Sequence, residues 1–216
     1  MGTPPLPGPT GRYHGRAAAE RRAERRERLL SAGLELFGTL GYAATSVERL
    51  CAAAGLSTRQ FYQEFANRDA VLAALYEQVN GHAFAAVSAA LDEAAGAAAA
   101  ERVRRVVRAY VTVTVTDPRR ARIACVECAG AGPAVQEHRR EWSRRWAALL
   151  AAVGETAGAR RPAPRDAHLA AVGFAGAANA LLHEWCTADP RPPLESVTGL
   201  LTRMLASVLC TAPACP

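Results

Sequence analysis

The sequence predicts an all-α protein. Alanine, leucine and arginine, which are strong helix formers, recur throughout the 216 residues. Strand-like runs of β-branched and aromatic residues are scarce, and residues 110–116 (YVTVTVT) are the exception. Clusters of glycine and proline divide the chain into segments whose apolar residues have helical spacing. We therefore expect three N-terminal helices followed by a larger helical bundle.

The first helix is expected to follow a tail rich in proline and glycine. Residues 1–15 show no helical pattern, which predicts disorder there. From Arg16 the apolar residues fall on one face, and Gly41 ends the helix. Residues 16–28 gather six arginines at the N-terminal end, where the helix dipole favours acidic residues. We expect this segment to be partly frayed, although an exposed helix extension explains the pattern equally well.

Two capping boxes predict the starts of two short helices. Each places a hydroxyl residue three positions before Glu or Gln: Thr45 with Glu48, and Ser57 with Gln60. Gly55 ends the first of these helices and allows a sharp turn. The segment therefore predicts a helix-turn-helix.

Six more helices are expected in the rest of the chain. Their approximate bounds are 68–91, 99–116, 119–129, 133–153, 166–187 and 194–210, with glycine and proline clusters between them. Asn67 caps the first of these helices, so we place a domain boundary there. The expected domains are a disordered tail at 1–15, a helix-turn-helix domain at 16–67 and a helical-bundle domain at 68–216.

The second short helix has two contrasting sides. Phe61 and Phe65 are expected to point into the core of the three-helix group. The other side carries only polar residues, namely Thr58, Arg59, Gln60, Gln63 and Glu64. Arginine pairs with guanine and glutamine with adenine in a DNA major groove, so this side predicts DNA reading. The capping box accounts for Gln60 equally well, and Glu64 is interpreted as a solvated residue.

The charge distribution agrees with a polyanionic partner. The formal net charge is +6, and residues 1–68 hold ten arginines against six glutamates. A basic N-terminal third suits nucleic acid, although a solvated basic face explains it equally well. Six cysteines are too few for a disulfide framework, and neither a signal peptide nor a membrane span is evident. We expect a reduced, cytoplasmic protein with no membrane partner.

Residues 28–79 contain a series of short motifs, which in chain order are Gly33 to Phe37, Gly41-Tyr42, Thr45-Ser46-Val47, Ala54-Gly55-Leu56-Ser57, Phe61-Tyr62, Phe65 and Asn67-Arg68-Asp69. With these motifs, the segment resembles the N-terminal domain of tetracycline-repressor-type (TetR family) regulators. Arg68 replaces the more usual lysine and preserves its charge. Arg59 and Gln60 replace the small residues common at those positions, so the DNA preference of a relative does not transfer.

The resemblance implies a homodimeric, sequence-specific DNA-binding transcriptional regulator. A repressor that a small lipophilic ligand releases from a palindromic operator is the form we expect. The DNA contacts that it implies are Thr45, Ser46, Thr58, Arg59, Gln60, Tyr62 and Arg68. The arginine-rich segment would then lie along DNA phosphates. We expect no enzyme and no cofactor, because no carboxylate pair, nucleophile elbow or phosphate loop occurs in the sequence.

The last two helices carry a candidate dimer interface. A heptad-like seam steps by three and four through Leu194, Val197, Leu201, Met204 and Val208. The preceding helix offers small residues that permit close helix approach, namely Gly173, Gly176 and Ala180. With the family resemblance, these residues predict a four-helix dimer interface. The alternative is a seam inside one protomer.

The helices of residues 99–187, with part of the fourth helix, are expected to enclose a ligand cavity. Its candidate lining is Phe84, Tyr110, Val113, Trp142, Trp146, Phe174 and Asn179. Each of these residues is explained equally well as core. A mostly apolar cavity suits a flat or lipophilic small molecule as effector.

A C-x-x-C motif, Cys125 to Cys128, leaves three interpretations open. Core cysteines need no further partner, whereas a zinc site usually needs two more soft ligands, and no fourth ligand stands out beyond His138. We therefore expect no metal. A redox pair would make the protein a DNA-binding regulator that senses thiol oxidation. A helical-bundle enzyme or carrier without DNA binding is the remaining alternative.

Overall fold

The structure is a computed structural model that describes residues 11–128, 131–155 and 164–209. Its helices are α1 (Gly11–Thr39), α2 (Val47–Ala54), α3 (Thr58–Glu64), α4 (Arg68–Glu93), α5 (Ala99–Val115), α6 (Pro118–Arg122), α7 (Pro133–Glu155), α8 (Pro164–Thr187) and α9 (Leu194–Leu209). A π-helical turn, Ile123–Glu127, directly follows α6. The predicted all-α class is confirmed, and the strand-like residues 110–116 lie at the end of α5.

The helix bounds agree closely with those predicted from the sequence. The first helix begins at Gly11, five residues before the expected start at Arg16. The rest of the expected tail, residues 1–10, lies outside the described residues. No helix in the described part of the chain has both the length and the apolar character needed to cross a bilayer.

The first three helices pack around a small apolar core. Phe37 of α1, Leu50 of α2 and Phe61 of α3 are all fully buried there, together with the first turns of α4. The α2 cap differs from the prediction, because Ser46, and not Thr45, accepts the hydrogen bond from the Arg49 N–H. Helix α2 ends at Gly55, whose φ of 61° lies in the left-handed region that glycine adopts without strain.

The second core lies among α4, α5, α7, α8 and α9. Val87, Val111 and Leu182 are among its fully buried residues. Helix α9 packs against both α5 and α8 of the same chain. The helical bundle thus has a core of its own, while the first core continues from α4 into the π-helical turn and α7 through Ile123, Val135 and Trp142.

The α9 seam belongs largely to this second core, which corrects the expected dimer interface. Leu201 is fully buried and Val197 is 8% exposed within a single protomer. Leu194, Met204 and Val208 are partly buried. A heptad-like pattern shows that a helix has a partner but does not identify it, and the partners of α9 are helices of its own chain. Val197 and Leu201 are thus not available to a second subunit.

Candidate functional site

The orientation of α3 is set by two buried phenylalanines. Phe61 is fully buried and Phe65 is 4% exposed, and their ring centroids lie 6.2 Å apart. The helix has only seven residues, which is too short to be stable in isolation. Tertiary packing therefore determines which side of α3 faces outward.

Glu64, the last residue of α3, is buried and binds α1, which contradicts its interpretation as a solvated residue. Its side chain is 1% exposed and accepts hydrogen bonds from Arg22 Nε at 3.1 Å and Arg25 Nη2 at 2.8 Å. A buried carboxylate needs such partners, because an unpaired charge is costly to desolvate. The two arginines meet that need and connect α1 to α3.

Two further arginines of α1 contact the helix-turn-helix. Arg26 donates to the Glu64 carbonyl at 3.3 Å, and its guanidinium lies 4.3 Å from the centre of the Phe65 ring. Arg28 donates to the Gly55 carbonyl at 2.9 Å. The segment 22–28 is therefore helical and held by protein contacts, so the expectation that it is frayed is wrong there.

The outward side of α3 carries most of the residues predicted to contact DNA. Thr58, Arg59 and Tyr62 are exposed, as is Ser46 at the start of α2. Tyr62 is 58% exposed, with its ring edge-on against buried Phe61. This side offers a guanidinium and three hydroxyl groups on a fixed scaffold.

Gln60 has the capping role that the sequence left open. Its Oε1 accepts a hydrogen bond from the Ser57 backbone N–H at 2.9 Å, and the Ser57 side chain accepts from the Gln60 N–H at 3.3 Å. The capping box is therefore confirmed. It occupies the amide oxygen of Gln60, and the amide nitrogen is the remaining group for base reading.

Thr45 and Arg68 lie behind this surface and support it. Thr45 is fully buried, and its hydroxyl donates to the Gly41 carbonyl at 2.9 Å. Arg68 donates to the carbonyls of Thr45 at 2.8 Å and Tyr42 at 3.3 Å, and its guanidinium lies 4.4 Å from the centre of the Tyr42 ring. The Thr45 side chain therefore has no surface with which to contact DNA. Arg68 holds the segment between α1 and α2.

A second polar cluster joins this segment to the helical bundle. Glu127, in the π-helical turn, accepts hydrogen bonds from the Tyr42 N–H and from Arg122 Nε, both at 2.7 Å. Arg122 also donates to the Thr39 carbonyl at 2.8 Å. We call Arg122, Glu127, Thr39 and Tyr42 the joint, because they connect the last turn of α1 to the bundle.

Helix α6 lies directly against α1 beside the joint. Arg119 binds Glu35 at 2.6 Å and Asp117 at 2.8 Å, and its hydrogen bond lowers the pKa of Asp117. A Cβ atom at Gly38 would overlap Arg119, so this close approach of the two helices requires glycine. The two parts of the chain are thus coupled by both packing and charge.

The helical bundle encloses a cavity of about 370 Å³. Four of the seven predicted lining residues border it, namely Tyr110, Trp146, Phe174 and Asn179. Phe84 and Trp142 lie behind Trp146, with the ring centroid of Phe84 5.3 Å from that of Trp146 and 5.8 Å from that of Trp142. Val113 does not border the cavity. The aromatic residues in the sequence indicated this region correctly. They did not distinguish the side chains that line the cavity from those that pack behind the lining.

One polar part of the cavity lining was missed by the sequence analysis. It consists of Gln136, Arg139, Arg140 and Ser143 on α7, together with Tyr76 and Asn80 on α4. On α7 these residues share one face with Trp146 and Leu150 at three- and four-residue steps. That spacing was visible in the sequence, but a polar stripe of this kind usually faces solvent.

The small residues of α8 lie on an exposed face. Gly173, Gly176 and Ala180 are exposed, and an added Cβ at either glycine would meet no atom within 4 Å. Leu169 and Val172, on the same face, are 57% and 39% exposed, and Val172 and Gly176 also border the cavity. Apolar side chains at this level of exposure are available to a second protein surface.

The comparison with known families decides what the first domain is. The family model described as bacterial regulatory proteins, tetR family, matches residues 29–75, which span α2, α3 and parts of α1 and α4. The N-terminal domain belongs to the TetR family. It is therefore a DNA-binding domain of a transcription regulator, as the resemblance implied. A search of curated protein sequences finds no significant match.

Solved structures show that the similarity in fold extends over most of the chain. A tetR-family regulatory protein from Rhodococcus RHA1 superposes with a TM-score of 0.64 at 21% identity, covering 88% of this chain and 98% of that one. FadR from Bacillus halodurans gives a TM-score of 0.70 at 18% identity, with coverages of 86% and 94%. FadR from Bacillus subtilis, solved with stearoyl-CoA, gives 0.70 at 16% identity, with coverages of 84% and 98%. At these identities the likeness concerns the fold alone.

Cys125 and Cys128, the two cysteines of the C-x-x-C motif, are poorly suited to redox chemistry. Burial raises the pKa of Cys125 and of Cys128 to about 12. Cys125 Sγ lies 4.0 Å from Asn179 Oδ1 beside the cavity. Because the thiolate is the reactive species, this environment favours packing over oxidation. Among the described residues, no group of three or more His, Cys, Asp or Glu side chains could hold a metal ion.

The raised pKa values predict slow thiol labelling in the folded protein. At pH 8 only about one thiolate in 10⁴ is expected at a pKa near 12, and the fraction grows tenfold for each pH unit. Iodoacetamide should therefore label Cys125 and Cys128 far more slowly in native than in unfolded protein, as peptide mass spectrometry would measure. Rapid native labelling, with DNA binding lost in mild peroxide and protected by Cys125→Ser, would support the thiol-oxidation alternative instead.

Proposed function

We propose that the protein is a homodimeric transcriptional repressor that binds a palindromic operator and is released by a small molecule in the bundle cavity. The observation that carries the proposal is the side chain arrangement on α3. Buried Phe61 and paired Glu64 fix the helix, while Arg59 and Tyr62 are exposed on its outer side. A short helix held in this way can enter a major groove without first becoming ordered.

The proposed DNA contacts follow from the chemistry of the side chains on the outer side of α3. Arg59 reads a guanine through its paired donors, and the amide nitrogen of Gln60 contacts an adjacent base. The hydroxyls of Ser46, Thr58 and Tyr62 donate to phosphates, which fix the register of the protein on the duplex. Arg68 acts mainly by holding the backbone carbonyls that lie behind this surface. It contacts a phosphate only at the edge of the DNA-binding surface. Thr45 is withdrawn from the proposed contacts, because its side chain is buried.

The dimer forms through the exposed faces of α8 and α9. Gly173, Gly176 and Ala180 permit close approach of α8 to its symmetry mate, and exposed Leu169 and Val172 supply apolar area. Leu200 of α9 is 36% exposed, whereas the adjacent Leu201 is buried. The face of α9 that a second subunit can contact is therefore the one that carries Leu200, beside the predicted seam. Two DNA-binding domains then reach successive major grooves, about 34 Å apart on one side of the DNA.

Ligand binding is coupled to DNA binding through the π-helical turn. Cys125, in the middle of this turn, contacts Asn179 of the cavity lining, and Glu127, at the end of the turn, holds Tyr42. A ligand that shifts Asn179 displaces the turn, and the joint transmits the displacement to α1. The similarly folded FadR from Bacillus subtilis was solved with stearoyl-CoA. A coupling free energy of about 1–3 kcal/mol is typical of such systems.

Replacing Arg59 tests base reading. Arg59→Ala should weaken binding to the cognate operator by about 1–3 kcal/mol and relax the preference at one base position, because the paired hydrogen bonds to guanine are lost. Fluorescence anisotropy with the operator and its single-base variants measures both effects. Arg104→Ala, which removes an exposed arginine of α5, is the matched control and should bind like the native protein. An equal loss on every DNA sequence would show that Arg59 contacts only a phosphate.

Replacing Leu169 tests the revised dimer interface. Leu169→Glu should yield folded monomers with weak operator binding, because it places a charge in the apolar contact between two α8 helices. Sedimentation velocity gives the mass, and thermal unfolding confirms the fold. Leu40→Glu is the control, since Leu40 is 52% exposed near the end of α1 and should leave the dimer intact. If Leu169→Glu remains dimeric, the α8 face is not the interface.

A further inference from the structure

We infer that the effector is an amphiphilic anion, whose acidic group is bound by Arg139 and Arg140 and whose apolar body extends along α7 past Trp146. This inference rests on the proposed function, in which the cavity receives the effector. It replaces the purely lipophilic ligand that the aromatic residues suggested with a chemically narrower class.

The cavity lining carries positive charge without a compensating acid. Two arginines border the cavity, and no Asp or Glu is among its lining residues in the described part of the chain. Arg140 reaches Glu137 at 3.0 Å, but both side chains are largely exposed to solvent there. Solvent screening makes such a pair weak, so Arg140 keeps most of its attraction for an incoming anion.

Arg139 is the more informative of the two arginines. It is partly buried, and no described carboxylate lies within 4 Å of it. Its polar contacts are neutral oxygens, namely the Cys128 carbonyl at 3.5 Å, Gln136 Oε1 at 3.3 Å and the Tyr76 hydroxyl. A partly desolvated guanidinium with only neutral partners has an unmet preference for an anion, and a carboxylate or phosphate satisfies it with paired, charge-assisted hydrogen bonds.

The polarity of the cavity changes in one direction along α7. Gln136, Arg139, Arg140 and Ser143 come first, and Trp146 and Leu150 follow on the same face. Arg140 and Leu150 are ten residues apart, which corresponds to about 15 Å along a helix. A ligand of matching shape has a charged head at one end and an apolar body at the other.

Neighbouring groups at the polar end favour an anion over a cation. Tyr76 borders the cavity there, and burial raises the pKa of its hydroxyl to about 12, so it remains a neutral donor. Ser143 adds a donor, whereas Asn80 already donates through Nδ2 to the Tyr76 carbonyl at 3.0 Å and accepts through Oδ1 from Trp146 Nε1 at 3.1 Å. A cationic ligand would instead meet two arginines with no carboxylate opposite.

A carboxylate and a phosphate share this recognition chemistry, because the arginine fork pairs with either group. The experiment therefore uses matched acids and neutral analogues. Its probes are decanoate with 1-decanol, 2-naphthoate with 2-naphthol, and decanoyl-CoA, each titrated into the full-length protein. Quenching of tryptophan fluorescence and the shift in melting temperature report binding. Comparing the binding of decanoate with that of decanoyl-CoA shows whether the site prefers a carboxylate head group or one that carries phosphate.

In at least one pair, the acid should bind about 10- to 100-fold more tightly than its neutral analogue, as expected for charge-assisted hydrogen bonds. If decanoyl-CoA binds and decanoate does not, the anion is a phosphate and the inference stands in that form. Arg139→Gln should abolish the preference while keeping the fold, as its melting temperature will show. Arg104→Gln, which removes an exposed arginine of α5 paired with Glu101, should keep the preference.

The inference is overturned if every acid and CoA ester binds no more tightly than the neutral compounds, or if Arg139→Gln retains the preference. Operator binding by the same samples is measured separately. If a neutral compound binds and releases DNA, the proposed function stands without an anionic effector. If the native protein binds no operator, the proposed function fails whatever the cavity binds.

Discussion

The surface that α3 presents depends on Glu64, whose carboxylate lies between α3 and α1. Arg22 and Arg25 bind this carboxylate. Helix α3 has only seven residues and would not be stable alone, so these charged contacts hold it in place together with its apolar contacts. Breaking a buried ion pair leaves an uncompensated charge, which costs more than the pair itself contributes. Arg22 is largely exposed, so Arg25, with the shorter contact and the lower exposure, supplies most of the attraction.

A second buried carboxylate, at the joint, binds one arginine and one backbone N–H. Glu127 is only 10% exposed and holds Arg122 and the Tyr42 N–H, and Arg68 then orders the carbonyls of Tyr42 and Thr45. The α1–α2 segment is thereby fixed from the bundle on one side and from α4 on the other. Cys125 of the same π-helical turn contacts Asn179 at the cavity, and in the proposed coupling this series of directly contacting groups connects the cavity to the DNA-binding domain.

Local sequence signals predicted the elements well, whereas contacts between distant residues escaped them. The Ser57–Gln60 capping box and Gly55 are short-range features, and both are present as expected. The partners of Glu64 lie 39 and 42 residues away in the sequence, and no local pattern identifies them. The α9 seam was recognised, but periodicity does not distinguish a neighbour in the chain from a second subunit, and Val197 and Leu201 of this seam pack inside the protomer. Arg139 was missed because a polar stripe that lines a cavity has the same spacing as one that faces solvent.

In the proposed mechanism, a rigid α3 from each of two symmetric subunits reads DNA. Selection of binding sites from random duplex DNA by the native protein, followed by hydroxyl-radical footprinting of the enriched sites, tests this most directly. The predicted result is a palindromic sequence with two half-sites protected on one side of the duplex, their centres about 34 Å apart or a multiple of that distance. Enrichment of no sequence, or of a single half-site bound by a monomer, would contradict the account.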